Sequence, residues 1–391
     1  MIEIPEHIIF HKILPNLPAK SLVRFKCVSH QWDSFISTTL FAKTHLLQQL
    51  SLSSRSILTL DDYLDFKCID YSDSNLDFSN FGTNFLETFN WFLGSCNGLV
   101  LLLSADEESC EYDYLHIPDS LLYFDFHFVV YNPVFGKNAY IEIEHPGQFL
   151  VTNDEYSAQE YNFGFGYVSS RDDYYIVAIN FPVCSSSPEA VVFVYSLRLR
   201  QWKSYKTVRN DKKDRLSLEL QDYFFSNTGT LVKETLHWGI TLGKDQKCIV
   251  TFDLANQEEF LGKMELPYAN FGEAESGVSA FCLCCLDDCL CAWANYEGGK
   301  VVEMWMLKEY GVQESWTKLF RFNLAHYCRS FYGFTKSGMV FKFYSNNEIM
   351  LADFSRDPPE YFHLGCVERW SAVDYVPSLV SPLAIITEQG E

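Results

Sequence analysis

Five cysteines crowd the stretch FCLCCLDDCLC (281–291), and thiolates at such spacing are the usual ligands of zinc. If Asp287-Asp288 is a hairpin turn, Cys284 lies opposite Cys291 while Cys285 points to the other face, with Cys282 and Cys289 further along. Three or four thiolates then cannot converge on one ion, and the plain reading is cysteine as a small buried hydrophobe. Gly164-Phe165-Gly166 lacks the third glycine and the helix of a dinucleotide loop and reads as strand sequence. His237-Trp238 sits in an apolar strand, where a packed histidine is expected before a catalytic base. The acidic pair Asp172-Asp173 reads as a turn. No Ser/His/Asp constellation emerges from spacing. The sequence thus assigns no catalytic residue, no metal ligand and no cofactor, and chemistry by this chain is not expected.

The elements themselves carry more information. Residues 4–36, IPEHIIFHKILPNLPAKSLVRFKCVSHQWDSFI, read as three short helices. Pro5 suits a first helical turn, where its missing N–H costs nothing, and Ile8, Ile9, Ile13 and Leu14 follow at helical spacing. Pro15 and Pro18 break and restart the chain. Leu22, Val23 and Phe25 ride on the second helix, and Ser29 can cap a third that carries Trp32, Phe35 and Ile36. Helices shorter than about 12–15 residues are marginal alone in water. Their apolar stripe needs another surface, either the rest of the chain or a second protein.

Beyond residue 47 the texture changes. SLSSRS (51–56) reads as a junction, and from Ile57 onward short runs rich in Val, Ile, Phe, Tyr and Trp alternate with Gly, Asn, Asp and Pro. No long amphipathic helix interrupts them, which argues against a parallel sheet with crossover helices. Five strand–turn–strand segments align on Tyr131, Tyr195, Phe252, Trp305 and Ala352, spaced by 64, 57, 53 and 47 residues. In each, an aromatic opens the second strand: Tyr140, Trp202, Phe260, Trp316 and Tyr361. Upstream of each lies another hairpin, with turns expected at Asn97-Gly98, Arg171-Asp172-Asp173, Thr228-Gly229, Asp287-Asp288 and Ser337-Gly338. Two hairpins per repeat is the pattern of a propeller blade. A further blade closes from both ends if residues 57–72 pair with the terminal VDYVPSLVSP (373–382), which removes an open sheet edge. The expected architecture is a small all-α module (1–47), a junction (48–56) and an all-β propeller (57–391) of six blades. A seventh blade is the alternative if residues 73–93 hold strands, and a two-sheet sandwich is the runner-up.

Charge bounds the partners. The 391-residue chain carries 51 Asp and Glu against 30 Lys and Arg, a formal net charge of −21, which argues against nucleic acid. No run approaches the ~18–20 apolar residues of a membrane span. Thirteen cysteines, an odd number without a compact framework, and the lack of any Asn-x-Ser/Thr sequon fit the cytosol or nucleus. Residues 1–47 hold five basic and three acidic groups, so the acidity belongs to the remainder.

Ile4-Pro5, the central LPAKSLVRF (17–25), Val28-Ser29 and Trp32 together resemble an F-box, and FGFGY, DDYYIVAI, VFVYSL, LHWGI and YVPSLVSP resemble the plant F-box-associated, kelch-like domain. Ile4 replaces the usual Leu, and the kelch diglycine is absent. The resemblance implies the substrate receptor of a Skp1–cullin–F-box ubiquitin ligase, bound through a Skp1-type adaptor to cullin-1 and a RING subunit. By position it assigns Ile4, Pro5, Ile8, Leu14, Leu17, Pro18, Leu22, Val28, Ser29 and Trp32 to the adaptor interface, with Trp32 foremost. Ile9, Ile13, Val23 and Phe25 are equally open to packing on the chain's own helices.

Loops after the second and fourth strands of a blade emerge on one face, and segment 104–127 among them carries seven acidic residues and no Lys or Arg. Asp106, Glu107, Glu108, Glu111 and Asp113 are therefore candidate contacts for a protein substrate of basic character. One branch of the resembled family, the pollen S-locus F-box proteins, targets basic secreted ribonucleases, and this acidity fits it. The rival classes are a propeller hydrolase and an F-box scaffold acting outside the ligase.

Overall fold

Left-handed hairpin turns divide the apolar runs into strands. In the computed structural model Asn97 and Gly98 take φ of 54° and 81°, and Asp287 and Asp288 take 49° and 57°. These are the values a two-residue turn needs to match the twist of its strands, and Asn, Asp and Gly adopt them most readily. The structure describes residues 4–51, 56–60, 66–70, 77–80, 89–105, 126–138, 140–146, 160–181, 190–207, 228–242, 246–257, 261–267, 280–296, 301–323, 328–334, 338–343, 348–353, 360–366 and 372–387.

The strands form four-stranded antiparallel sheets, six among the described residues. One contains β1 (Ser56–Leu60), β2 (Phe66–Asp70) and β3 (Asp77–Asn80), with β24 (Ala372–Tyr375) paired on the edge of β1 that faces away from β2. The next comprises β4 (Phe89–Cys96), β5 (Leu99–Ala105), β6 (Phe126–Tyr131) and β7 (Tyr140–Glu144). Then follow β8 (Glu160–Val168), β9 (Asp173–Phe181), β10 (Ala190–Ser196) and β11 (Gln201–Thr207). After these come β12 (Thr230–Val232), β13 (Thr235–Leu242), β14 (Gln246–Asp253) and β15 (Gly262–Glu265). The last two sheets are β16 (Ala280–Leu286) to β19 (Trp316–Asn323), through β17 (Cys289–Tyr296) and β18 (Val301–Leu307), and β20 (Cys328–Phe334) to β23 (Glu360–Cys366), through β21 (Gly338–Phe343) and β22 (Glu348–Asp353).

Five of the described sheets are up-and-down meanders, the pattern of propeller blades and not of a sandwich, and the first sheet is completed by β24. The aligned positions face one another across the hairpin of the third and fourth strands: Tyr131 pairs with Tyr140, Tyr195 with Trp202 and Ala352 with Tyr361. Trp305 pairs with Lys318 instead, and Trp316 with Leu307. Phe260 lies outside the described residues. Strands do occur within 73–93, but β3 joins the first sheet and β4 opens the second, so no seventh sheet arises there among the described residues.

The chain divides into two compact units. The first contains Met1–Tyr112, Asp125–His145 and Arg369–Glu391 and includes the helices, the β24-β1-β2-β3 sheet and the β4–β7 sheet. Its sheet core packs Leu58, Phe66, Phe92, Leu102, Tyr131 and Tyr375. Buried Asn132 fastens the tail. Its Nδ2 donates to the carbonyls of Ser378 (3.1 Å) and Val380 (2.6 Å), and its Oδ1 accepts from the Val134 N–H at 3.0 Å. The second unit, Asp113–Phe124 and Pro146–Glu368, holds the remaining four sheets.

Two turn expectations need correction. The hairpin between β12 and β13 turns at Lys233-Glu234, with φ of 49° and 61°, not at Thr228-Gly229. Gly229 instead donates its N–H to the Phe163 carbonyl at 2.6 Å, and a Cβ there would lie 2.7 Å from the Trp238 ring. This glycine marks a close approach between sheets, not a turn. Asp173 opens β9, leaving Asp172 (φ 51°) in the β8–β9 turn. Ser337 lies outside the described residues.

Candidate interaction surfaces

Prolines and a capping serine set the helical module. Glu6–Ile8 (α1) continues as a wider turn through Ile13 and a tight one over Leu14–Asn16. Pro18 precedes α2 (Ala19–Phe25), and the Ser29 hydroxyl accepts the Trp32 N–H at 3.2 Å to start α3 (His30–Ile36). A fourth helix, α4 (Thr39–Ser51), follows.

The module buries one apolar face and leaves further apolar residues exposed. The inner one buries Phe10, Leu14, Ala19, Leu22, Ile36, Phe41 and Ala42 together with Val134 and Leu379 from the sheet region of the same unit. Lys26 places its ammonium 5.1 Å from the centre of the Phe135 ring, a cation–π contact on the same seam. Trp32 stands edge-on to Phe10 (6.1 Å) and Phe25 (5.7 Å). Buried His45 sets a ring nitrogen 2.8 Å from the Leu17 carbonyl, and burial lowers its pKa.

The ten residues assigned to an adaptor therefore separate. Leu14 and Leu22 have no exposed surface and are interior residues, able to frame a docking face but not to touch a partner. Leu17 and Trp32 are half-buried against the inner cluster. Ile4, Pro5, Ile8, Pro18, Val28 and Ser29 are exposed, Ile4 and Val28 at 55% and 58%. Ile13 joins the exposed set, whereas Ile9, Val23 and Phe25 pack on the inner cluster. Periodicity located the apolar stripe but did not show which of its residues are buried and which exposed. Leu40, Leu47 and Leu50 of α4 extend the exposed apolar surface, and the motif pattern did not include them.

The residues with catalytic appearance have structural roles. Cys284 pairs with Cys291, and Leu283 and Cys285 pack into a different cluster from Cys282 and Cys284. The Cys291 thiol and burial hold the Cys284 thiol in its protonated form. Among the described residues no group of three or more His, Cys, Asp or Glu could hold a metal ion. His237 is buried, which lowers its pKa to about 4, and its ring nitrogens lie 3.2 Å from the Thr230 carbonyl and 2.9 Å from the Tyr310 hydroxyl. Asp173 is buried and accepts from the Tyr174 N–H (2.8 Å), the Arg198 N–H (2.9 Å) and the Ser196 hydroxyl, tying the β8–β9 turn to the β10–β11 turn. Sequence reading missed this network because its members are more than twenty residues apart. The acidic candidates Asp106, Glu107, Glu108, Glu111 and Asp113 lie outside the described residues.

Known proteins agree with this arrangement. Residues 93–382 match the F-box associated beta propeller domain. An F-box/kelch-repeat protein of Arabidopsis thaliana is 29% identical over 326 residues, covering 79% of this chain and 76% of its own. F-box protein CPR1 of the same plant is 28% identical over 343 residues, covering 82% and 73%. With a helical module ahead of four-stranded sheets and a family match across well over half its length, the chain belongs to the plant F-box proteins that carry an F-box-associated β-propeller domain.

Proposed function

We propose that this chain is the substrate-recognition subunit of a Skp1–cullin–F-box ubiquitin ligase. In this reading it docks on a Skp1-type adaptor through the helical module, and on cullin-1 and the RING subunit through that adaptor. The supporting observation is the apolar surface that the module leaves exposed. With Leu14 and Leu22 already satisfied by Val134 and Leu379, the module still exposes Ile4, Ile8, Ile13 and Val28. Exposed apolar surface concentrated on one small element marks a docking site. The sheets hold a protein substrate near the charged conjugating enzyme, so that effective concentration replaces diffusion and the chain itself supplies no catalysis.

The finer assignments belong to the same proposal. Each four-stranded sheet is one blade of a six-bladed, kelch-like domain. The module is the F-box of residues 1–47, extended by α4 to Ser51 before β1 begins at Ser56. The chain works in the cytosol or nucleus, and its acidic balance suits a basic protein substrate, the pollen-determinant reading being the narrow form of that idea. Co-expression of the full chain with a plant Skp1-type adaptor tests the central point. Co-purification lost in Ile4→Asp/Val28→Asp but retained in a charge change on the sheets supports it. Absence of co-purification by the unaltered chain overturns it.

A further inference from the structure

A cavity of about 310 Å³ opens in the second unit where the β8–β9 turn, the β10–β11 turn and the segment after β14 meet. It lies at the end of these strands where the β8–β9 and β10–β11 turns stand. Arg171, Arg198 and Lys203 line it, with Gln257 and Tyr175. Three cations face one cavity in a chain of net charge −21. The carboxylates beside them, Asp172 and Asp173, are committed: Asp172 bonds Arg198 at 2.9 Å, and Asp173 accepts the three bonds described above. One positive charge remains in excess.

The donors are held in place. The Arg171 Nη2 donates to the Ala255 carbonyl at 2.7 Å, and the Arg198 Nη2 and Nε donate to the Asp172 carbonyl at 2.8 and 3.1 Å. Gln257 is 7% exposed, and its Oε1 accepts from the Tyr205 hydroxyl at 3.5 Å, which orients the amide. Its Nε2 is buried and has no acceptor. A buried donor without an acceptor is costly, and this one lines a cavity where an incoming oxygen could accept from it. Guanidinium forks and an amide N–H suit the oxygens of a carboxylate or phosphoryl group.

We propose that this cavity binds an oxyanion carried on a peptide, either a chain-terminal carboxylate or a phosphorylated residue. A peptide is indicated because the mouth is not purely polar. Leu199, 51% exposed, stands on its rim, and β11 is the edge strand of its sheet, with Gln201 and Lys203 exposed beside the cavity. An extended segment can lie along such an edge while its acidic group enters the pocket. The assignment adds to the receptor reading the class of group that this unit takes, and its test needs no adaptor, so either can fail alone.

The full chain is titrated with three short peptides of one neutral sequence: amidated, with a free C-terminal carboxylate, and amidated with an internal phosphoserine. Inorganic phosphate serves as competitor. The expected result is that the carboxylate or the phosphoserine peptide binds at millimolar concentration or tighter while the neutral amide does not. Arg171→Gln should weaken binding at least tenfold and Lys203→Gln at least threefold, with affinity falling as salt rises. A free-carboxylate preference identifies chain termini as the source, and a phosphoserine preference identifies phosphorylated segments. Because Arg171 also supports Ala255, Lys203→Gln, on an exposed strand position, keeps the test decisive. Equal binding by Lys203→Gln, binding of inorganic phosphate without either acidic peptide, or no binding at all would overturn the proposal.

Discussion

Replacing Val28 with Asp separates docking from folding. Val28 is 58% exposed, so the folded chain loses little, and the change in stability should stay within ~0.5 kcal/mol. In the complex the same position is covered. Fully burying a valine is worth about 1.5–3 kcal/mol, and somewhat more than half of its surface remains to be buried on docking, which amounts to about 1 kcal/mol. An unpaired carboxylate in that interface costs several kcal/mol more. The sum is at least ~3 kcal/mol, or a loss of about a hundredfold in affinity. Calorimetric titration of the full-length variant with a plant Skp1-type adaptor measures it, with urea melts as the folding control. Leu22→Ala provides the contrast. That residue has no exposed surface and should lose about 2–5 kcal/mol of folding stability. Affinity within threefold of the unaltered chain for Val28→Asp would refute the assignment of this face.

Three further outcomes follow from the packing. Asn132→Ala removes two donated bonds and leaves the Ser378 and Val380 carbonyls unsatisfied, so it should cost roughly 3 kcal/mol in urea melts and speed proteolysis of the C-terminal segment. Gly229→Ala drives a Cβ to 2.7 Å from the Trp238 ring and should cost about 1–3 kcal/mol by the same assay. His237 has a folded pKa near 4, below its ordinary 6.5, so the unfolded chain binds its proton first as pH falls. Its contribution is present above pH 6.5 and is lost as pH falls from there towards 4, by up to roughly 3 kcal/mol, and His237→Gln should flatten that part of the stability profile.

Much of the fold was legible because strands and turns are written locally. Asn97-Gly98 and Asp287-Asp288 need left-handed backbone, and their residue types disclose it. Pairing of β24 with β1 was legible as the closure of two otherwise unpaired segments. Gly229 misled, because a glycine that admits a neighbouring indole looks in sequence like one that admits a turn. The helical module was legible as a motif but not as a surface. Leu22 and Val28 are both apolar positions of that motif, and only the packing of Val134 and Leu379 on one side decides that the first is interior and the second exposed. The cationic cavity left no local trace. Arg171, Arg198 and Gln257 come together through the folding of two adjacent sheets.

The central claim is that the helical module serves two partners: its own sheets on one face and an adaptor on the other. Hydrogen exchange of the full chain, alone and with a Skp1-type adaptor, tests this most directly. The account predicts new protection over residues 4–13 and 26–29, with the amides of β4–β7 unchanged. Protection confined to the sheets, or none anywhere in residues 4–36, would contradict it.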